Sequence, residues 1–190
     1  MLYDDKYFDA KWNKIIPFLP KGGDYRYDLR SYGYQIIIDH IGPNKRVFDF
    51  ACGLSIIGTK LARNGCFVSG CDISPVAVQW CKEKVSSDYR IGEDVFGGPY
   101  DYVVATYFLE HIPDPVFWIK KALRVAPAII CSLPNNFSRT GEHSLMAWNS
   151  WETFNKLFNC FEVERIDDGK YPPKLCGAYK HPTIEFREVV

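Results

Sequence analysis

No stretch of this sequence holds enough consecutive apolar residues to cross a bilayer, so membrane insertion is not expected. Nor is there an excess of either charge: Lys and Arg total 23, and so do Asp and Glu. A chain that grips a phosphate backbone usually carries a basic surplus or patch, so no nucleic-acid partner is expected. The opening residues, MLYDDKYFDAKW, put acids where an export signal has a basic region and an apolar run, and a cytoplasmic location is the expectation. The seven cysteines are odd in number and lack any CxxC pair, which argues against a disulfide framework and against a metal site. Cys66, Cys71, Cys131 and Cys160 sit in or beside strand-like apolar runs, where a thiol is expected as a small buried hydrophobe. Repeats, low-complexity tracts and linkers are also missing.

What the sequence does hold is an alternation. Its 190 residues suffice for one domain with a real core and are too few for two of ordinary size. Arg46–Phe50 (RVFDF) is short and apolar, and a loop of small residues, Ala51–Ser55, follows it. A helix is predicted from there through Ala62, stopped by Asn64-Gly65. Cys66–Cys71 reads as a strand, and Ser74-Pro75 opens a helix to about Lys84, with serine as the cap and proline in the first turn. Tyr100–Thr106 is the next strand, Pro113-Asp114-Pro115 starts a helix carrying Phe117, Ile119 and Leu123, and Pro127–Ser132 is a buried strand. A helix over Ser150–Phe158 and weaker strands near Phe161–Ile166 and Lys174–Tyr179 complete the pattern. Strands alternating with helices of this length imply parallel pairing through right-handed crossovers. The expected fold is α/β: a Rossmann-like, doubly wound, mostly parallel sheet with helices on both faces, forming a single domain over 1–190. Within it, 1–44 is expected as an N-terminal helical lid segment and 45–190 as the core.

Such a sheet takes its ligand beyond the carboxyl ends of its strands, where the strand order reverses. In VFDFACGLSIIG (Val47–Gly58) a strand runs into Ala51, Cys52, Gly53, Leu54 and Ser55. Small residues there let the backbone approach a ligand, and the helix that follows offers free N–H groups. CFVSGCDIS (Cys66–Ser74) ends its strand in Asp72, an acid suited to two ribose hydroxyls, each such bond contributing about 1.5–3 kcal/mol. This much fits a dinucleotide or S-adenosyl-L-methionine: Gly53-x-Ser55-x-x-Gly58 is one substitution from GxGxxG, and Asp72 stands where the nicotinamide fingerprint wants its acid. Asp49 separates the two. A carboxylate inside the first strand is a poor neighbour for a pyrophosphate. It suits the cationic sulfonium and amino-acid end of S-adenosylmethionine, directly or by holding the loop's amides.

On these residues the sequence resembles the class I S-adenosylmethionine-dependent methyltransferases, particularly the small-molecule branch, from about Arg46 to Pro134. VFDFACGLS is similar to that family's first motif, an acid followed by a Gly-x-Gly-x-Gly loop, with Ala51 and Ser55 replacing the first and third glycines. CDIS is similar to the second, which implies Asp72 as the ribose ligand and Ile73 packing on the adenine. GEDVF (Gly92–Phe96) resembles the stretch that brings an acid near the adenine amino group, implying Asp94 with Val95 beside it. YDYVVATYFLEHIPDP (Tyr100–Pro115) resembles the motif around the fourth strand, and its LEHIPDP run is the most specific of the four.

Each candidate also has a plainer reading. Asp49 could cap a helix or pair with Lys45, and Asp94 could serve only solubility. Glu110 and His111 could stabilise the strand-to-helix junction without doing chemistry. Tyr107 and Phe108 could flank a sulfonium with their ring faces or be ordinary core residues. Arg30, in YDLRSYG, is a candidate fork for the cofactor's carboxylate or a solvated charge. His143, in the loop from Leu133 to Trp148, is the candidate general base for an acceptor, against an exposed loop histidine as the alternative. His40 and His181 have no context that raises them above the ordinary. Tyr3, Tyr7, Trp12, Ile15 and Leu19 recur near helical spacing and suggest a lid over the site, with a dimer face or a surface helix as alternatives.

The function expected is in-line methyl transfer from S-adenosyl-L-methionine to a small-molecule or saccharide or lipid-linked acceptor. A non-catalytic or partner-dependent S-adenosylmethionine-binding subunit is the alternative, and an NAD-dependent oxidoreductase a further one. The oxidoreductase is opposed by Asp49, by the LEHIPDP run and by the lack of a Tyr-x-x-x-Lys pair in a plausible place.

Overall fold

The computed structural model describes residues 4–18, 31–95, 97–133, 151–166 and 183–189. An N-terminal helix α1 (Asp5–Ile15), a 3-10 turn (Ile16–Phe18) and α2 (Ser31–Ile41) precede the sheet. Then come β1 (Arg46–Phe50), α3 (Ile56–Arg63), β2 (Phe67–Asp72), α4 (Pro75–Lys84), β3 (Tyr89–Ile91) and β4 (Tyr102–Thr106). A 3-10 turn (Leu109–His111) leads to α5 (Pro115–Ala122), β5 (Ile129–Ser132), α6 (Trp151–Leu157), β6 (Phe161–Arg165) and β7 (Thr183–Glu188).

The local signals act as their chemistry requires. Ser74 accepts from the Ala77 N–H ahead of Pro75, and Asp114 accepts from the Phe117 N–H ahead of Pro115, each silencing a donor that its helix leaves open. Asn64 and Gly65 end α3, with Gly65 at φ +88° where a side chain would be strained.

Among the described residues seven strands form one sheet in the order β3-β2-β1-β4-β5-β7-β6. β1 to β5 are parallel, whereas β7 runs antiparallel between β5 and β6. The expected doubly wound sheet is present. Its order reverses between β1 and β4, and the crevice at that point faces the loop after β1. Alternation along β1 sorts the core: Phe48 and Phe50 pack with Trp118 and Ile119 of α5 and Phe154 of α6. Val47 packs on the other face with Ile37 of α2, Leu61 of α3 and Val78 of α4. Each such side chain buried completely contributes about 1.5–3 kcal/mol. By the same alternation Asp49 points toward the α2–α4 face.

Three features differ from the sequence reading. β3 and β7 were not foreseen as strands, while the strand expected at Lys174–Tyr179 lies outside the described residues. β7 was masked by Glu185, which is 1% exposed yet tolerated because His40 Nε2 lies 2.6 Å from one of its oxygens and Arg187 Nε donates to the other. Cys160 is exposed, unlike Cys66, Cys71 and Cys131. It stands in the turn before β6, where Phe158 and Phe161 take the buried positions. No helix among the described residues is long and apolar enough to cross a membrane.

Candidate cofactor site

The loop after β1 departs most from ordinary backbone. Ala51, Gly53 and Ser55 all have φ near +50°, so every second residue is left-handed. Glycine accepts that freely, whereas alanine and serine each incur about 1–2 kcal/mol. Both departures from the family's glycines therefore stand where glycine would relieve strain.

Side chains below the loop offset part of that cost. The Ser55 hydroxyl, fully buried, donates to Asp49 Oδ2 at 2.5 Å. With its proton committed there, Ser55 Oγ accepts from the Tyr89 hydroxyl at 2.6 Å. Asp49 is 1% exposed, and its Oδ1 has no partner among the described residues. Burial lifts the Asp49 carboxyl to about 7, against the hydrogen bond from Ser55 and with the charge of Asp72 adding to the rise. A buried carboxylate with one oxygen unserved fits a bound group that brings positive charge and N–H donors. Of the plainer readings for Asp49, the pairing with Lys45 is absent, since Lys45 lies 4.0 Å from Asp101 instead. The helix-capping reading has a contact behind it: Asp49 accepts from the Gly58 backbone N–H in the first turn of α3.

Asp72 ties the tip of β2 to the same loop. One oxygen accepts from the Gly53 N–H at 2.8 Å, the other from the Ser74 N–H at 2.9 Å. Burial raises its pKa, and these N–H groups with that of Ile73 oppose the rise. A carboxylate has about four acceptor positions, so capacity remains for ribose hydroxyls. Cys52 and Cys81, their sulfurs 3.8 Å apart, both donate to the Gly53 carbonyl and hold the loop from the α4 side.

Helix α1 reaches this loop from above. Asp9 accepts from the Ser74 hydroxyl and from the Val76 N–H, the latter at 3.2 Å, which fastens α1 to the start of α4. Trp12 then lies on Gly53: a Cβ there would stand 2.9 Å from its Cζ2, so only glycine admits the indole.

Asp49, Ala51, Gly53, Ser55 and Asp72 are thus brought together, with Ile73 half-buried just beyond β2. Tyr107 follows β4 with φ +56°, its N–H donating to the Ser132 carbonyl, and its side chain packs beside the α2–α4 face. Phe108 takes the core reading, with ring centroids 4.8 Å from Phe50 and 5.0 Å from Trp118. Asp94 projects outward and pairs with Lys121 of α5, and Val95 packs against the Phe48 cluster. Glu110 is buried in the turn after β4, and burial lifts its carboxyl to about 7. Arg30, His143 and His181 lie outside the described residues.

Sequence reasoning missed Tyr89 and Asp9. Tyr89 sits in a three-residue strand too short to show alternation. Gly70 was the available signal, since a glycine inside a strand marks a close approach.

The fold is that of the Rossmann-like methyltransferases. A TehB-like S-adenosylmethionine-dependent methyltransferase from Corynebacterium glutamicum matches with a TM-score of 0.62 over 97% of this chain and 98% of its own, at 14% identity. Magnesium protoporphyrin IX methyltransferase from Synechocystis, solved with bound S-adenosylhomocysteine, matches at 0.64 over 97% and 98%, at 20% identity. A family model described as a methyltransferase domain matches residues 24–167, and the chain belongs to that family. The ubiquinone biosynthesis O-methyltransferase of Hahella chejuensis is 37% identical over 94 residues, covering 44% of this chain and 40% of that protein. Its counterpart in Erwinia tasmaniensis is 36% identical over 81 residues, covering 37% and 33%. The match therefore spans well under half the length of these curated relatives.

Proposed function

We propose that this chain transfers a methyl group from S-adenosyl-L-methionine to an oxygen of a small-molecule acceptor. The observation that carries the reading is the loop with three left-handed residues, fastened beneath by Asp49 through Ser55 and at its side by Asp72. In this reading Asp72 takes the ribose hydroxyls, Ile73 and Val95 border the adenine, and Asp49 faces the charged amino-acid end. When bound, S-adenosylmethionine supplies a methyl group already activated on a cationic sulfur. What remains for the protein is alignment of an acceptor with that bond, an effect that reaches about 7–11 kcal/mol in favourable cases. The relatives' naming as O-methyltransferases supports oxygen as the acceptor atom. A saccharide or lipid-linked acceptor is the narrower alternative. A second reading, a weak-binding or partner-dependent subunit, is favoured by the strain at Ala51 and Ser55.

Calorimetric titration with S-adenosylmethionine, S-adenosylhomocysteine and NADH in parallel separates these readings. Saturable binding of both adenosyl ligands and none of NADH is the expected result. NADH binding alone would overturn the proposal, and no binding at all would move it to the partner-dependent subunit.

Helix α1 is read as the cover of this site, held by Asp9 and seated through Trp12. Trp12→Ala should speed dissociation of S-adenosylhomocysteine by about 5- to 30-fold, the loss of roughly 1–2 kcal/mol of apolar contact. Stopped-flow displacement measures this, and an unchanged off-rate would remove α1 from the role.

A further inference from the structure

The cofactor loop of this chain carries a serine in the left-handed position where glycine would be free of strain, and something must hold it there. Ser55 has φ and ψ of +50° and lies fully buried. Its hydroxyl has two partners, Asp49 Oδ2 at 2.5 Å and the Tyr89 hydroxyl at 2.6 Å. Tyr89 comes from β3, two strands away from β1, and is itself fully buried.

The space for this tyrosine is made by two glycines from different elements. At Gly58, in the first turn of α3, a Cβ would lie 2.1 Å from Ser55 Oγ and 2.4 Å from the Tyr89 hydroxyl. At Gly70, inside β2, a Cβ would lie 2.4 Å from the Asp49 carbonyl oxygen on β1 and 2.6 Å from Tyr89 Cε1, so both the strand pairing and the tyrosine need the space. Neither glycine has a positive φ, so conformational freedom does not call for them and room does. Four separate places in the sequence thus agree on one arrangement: Ser55, Gly58, Gly70 and Tyr89 all serve a hydrogen-bond chain that ends on Asp49.

We propose that Tyr89 is a positioning residue for S-adenosylmethionine, acting through Ser55 to hold the loop backbone in its left-handed, ligand-receiving form. This rests on the reading of that loop as the cofactor site. Tyr89 touches no reacting atom. It keeps Ser55 from relaxing toward ordinary φ, a movement that would carry Leu54 and Gly53 with it and disturb the Gly53 N–H that Asp72 holds at 2.8 Å. Serine and tyrosine work as a pair. A glycine at position 55 would need no hydroxyl partner, because it takes the left-handed form without strain.

The test is a double-mutant cycle on binding of S-adenosylhomocysteine, read by calorimetry, with thermal melting as a separate readout. Tyr89→Phe keeps the buried ring and removes one hydroxyl, so it should raise Kd by roughly 3- to 10-fold, the range of a single hydrogen bond. In a Ser55→Gly background the same Tyr89→Phe change should alter Kd by less than about 2-fold, because the serine it supports is gone. A tyrosine that only packs the core would lower the melting temperature in both backgrounds and leave Kd alone. An undiminished Tyr89→Phe effect in the Ser55→Gly background would overturn the proposal, as would an unchanged Kd in the native background. Should Tyr89→Phe fail to fold, Tyr89→Met, which also fills the buried space without a hydroxyl, is carried through the same two backgrounds and judged by the same two outcomes. If the unaltered protein binds neither adenosyl ligand, the cofactor reading and this proposal fall together. If it binds them and the cycle shows no coupling, only this proposal falls.

Discussion

Asp49→Asn should make the ligand-free protein more stable at pH 8 while weakening its hold on S-adenosylmethionine. The carboxyl is held at about 7 in the folded chain, chiefly by burial, against an ordinary value of 3.8. Between those values the folded state keeps a proton that the unfolded state has released. Stability is therefore fully present below about pH 4 and is lost as the pH rises through 7. The difference between the two values corresponds to on the order of 4 kcal/mol, so at pH 8 this residue acts against folding by a large part of a typical net stability. Asparagine has no charge to bury and can still accept from Ser55. Denaturant unfolding of both proteins at pH 4.5 and pH 8 should give a steeper fall for the native residue than for asparagine. Glu110, also lifted to about 7 by burial, leaves part of the slope in place. Binding should move the other way. S-adenosylmethionine, with a cationic sulfur, should lose more affinity than S-adenosylhomocysteine, whose sulfur is neutral. Equal losses for the two ligands would show that Asp49 does not read that charge.

Asp72→Ala should cost more binding than any other single change, by at least about 100-fold for S-adenosylhomocysteine. Two charged hydrogen bonds to a ribose contribute about 1.5–3 kcal/mol each, and both disappear together. The substitution also frees the Gly53 and Ser74 N–H groups that the carboxylate now holds, so the loop loses an anchor as well as a ligand contact. Asp72→Asn separates the two losses, because its amide oxygen can keep one N–H partner. Calorimetry on both variants decides the matter, and binding within about 3-fold of the native protein in Asp72→Ala would remove Asp72 from the site.

Most of this site could be read before any coordinates, because the signals were local. A carboxylate inside a short strand, a loop of small residues and an acid at the next strand's tip are each contiguous in sequence. So are the caps Ser74-Pro75 and Asp114-Pro115, and the helices began where they indicated. What escaped was what depends on distant chain. Tyr89 meets Ser55 across two strands, and nothing in YRI, with an arginine in its centre, announces a buried hydroxyl. β7 escaped because TIEFRE puts a glutamate in its buried middle, where His40 and Arg187 are its partners. Asp94 has a partner that the motif likeness does not announce, since its side chain pairs with Lys121 on α5.

The antiparallel strand β7 bears on how the chain assembles. Among the described residues β6 bonds to no strand but β7, and β7 fills the place beside β5, so β6 reaches the sheet through a strand that follows it in sequence. Until Thr183–Glu188 is available, the edge of β5 stands open, and Phe154 and Phe158 lack their contact with Phe186. During synthesis the five parallel strands and their helices can gather first, with the left-handed loop already between them. The β6–β7 pair joins that sheet through β7. Until that happens β5 is an unprotected edge of the kind that pairs with other chains, so the interval before β7 emerges leaves that edge open to aggregation.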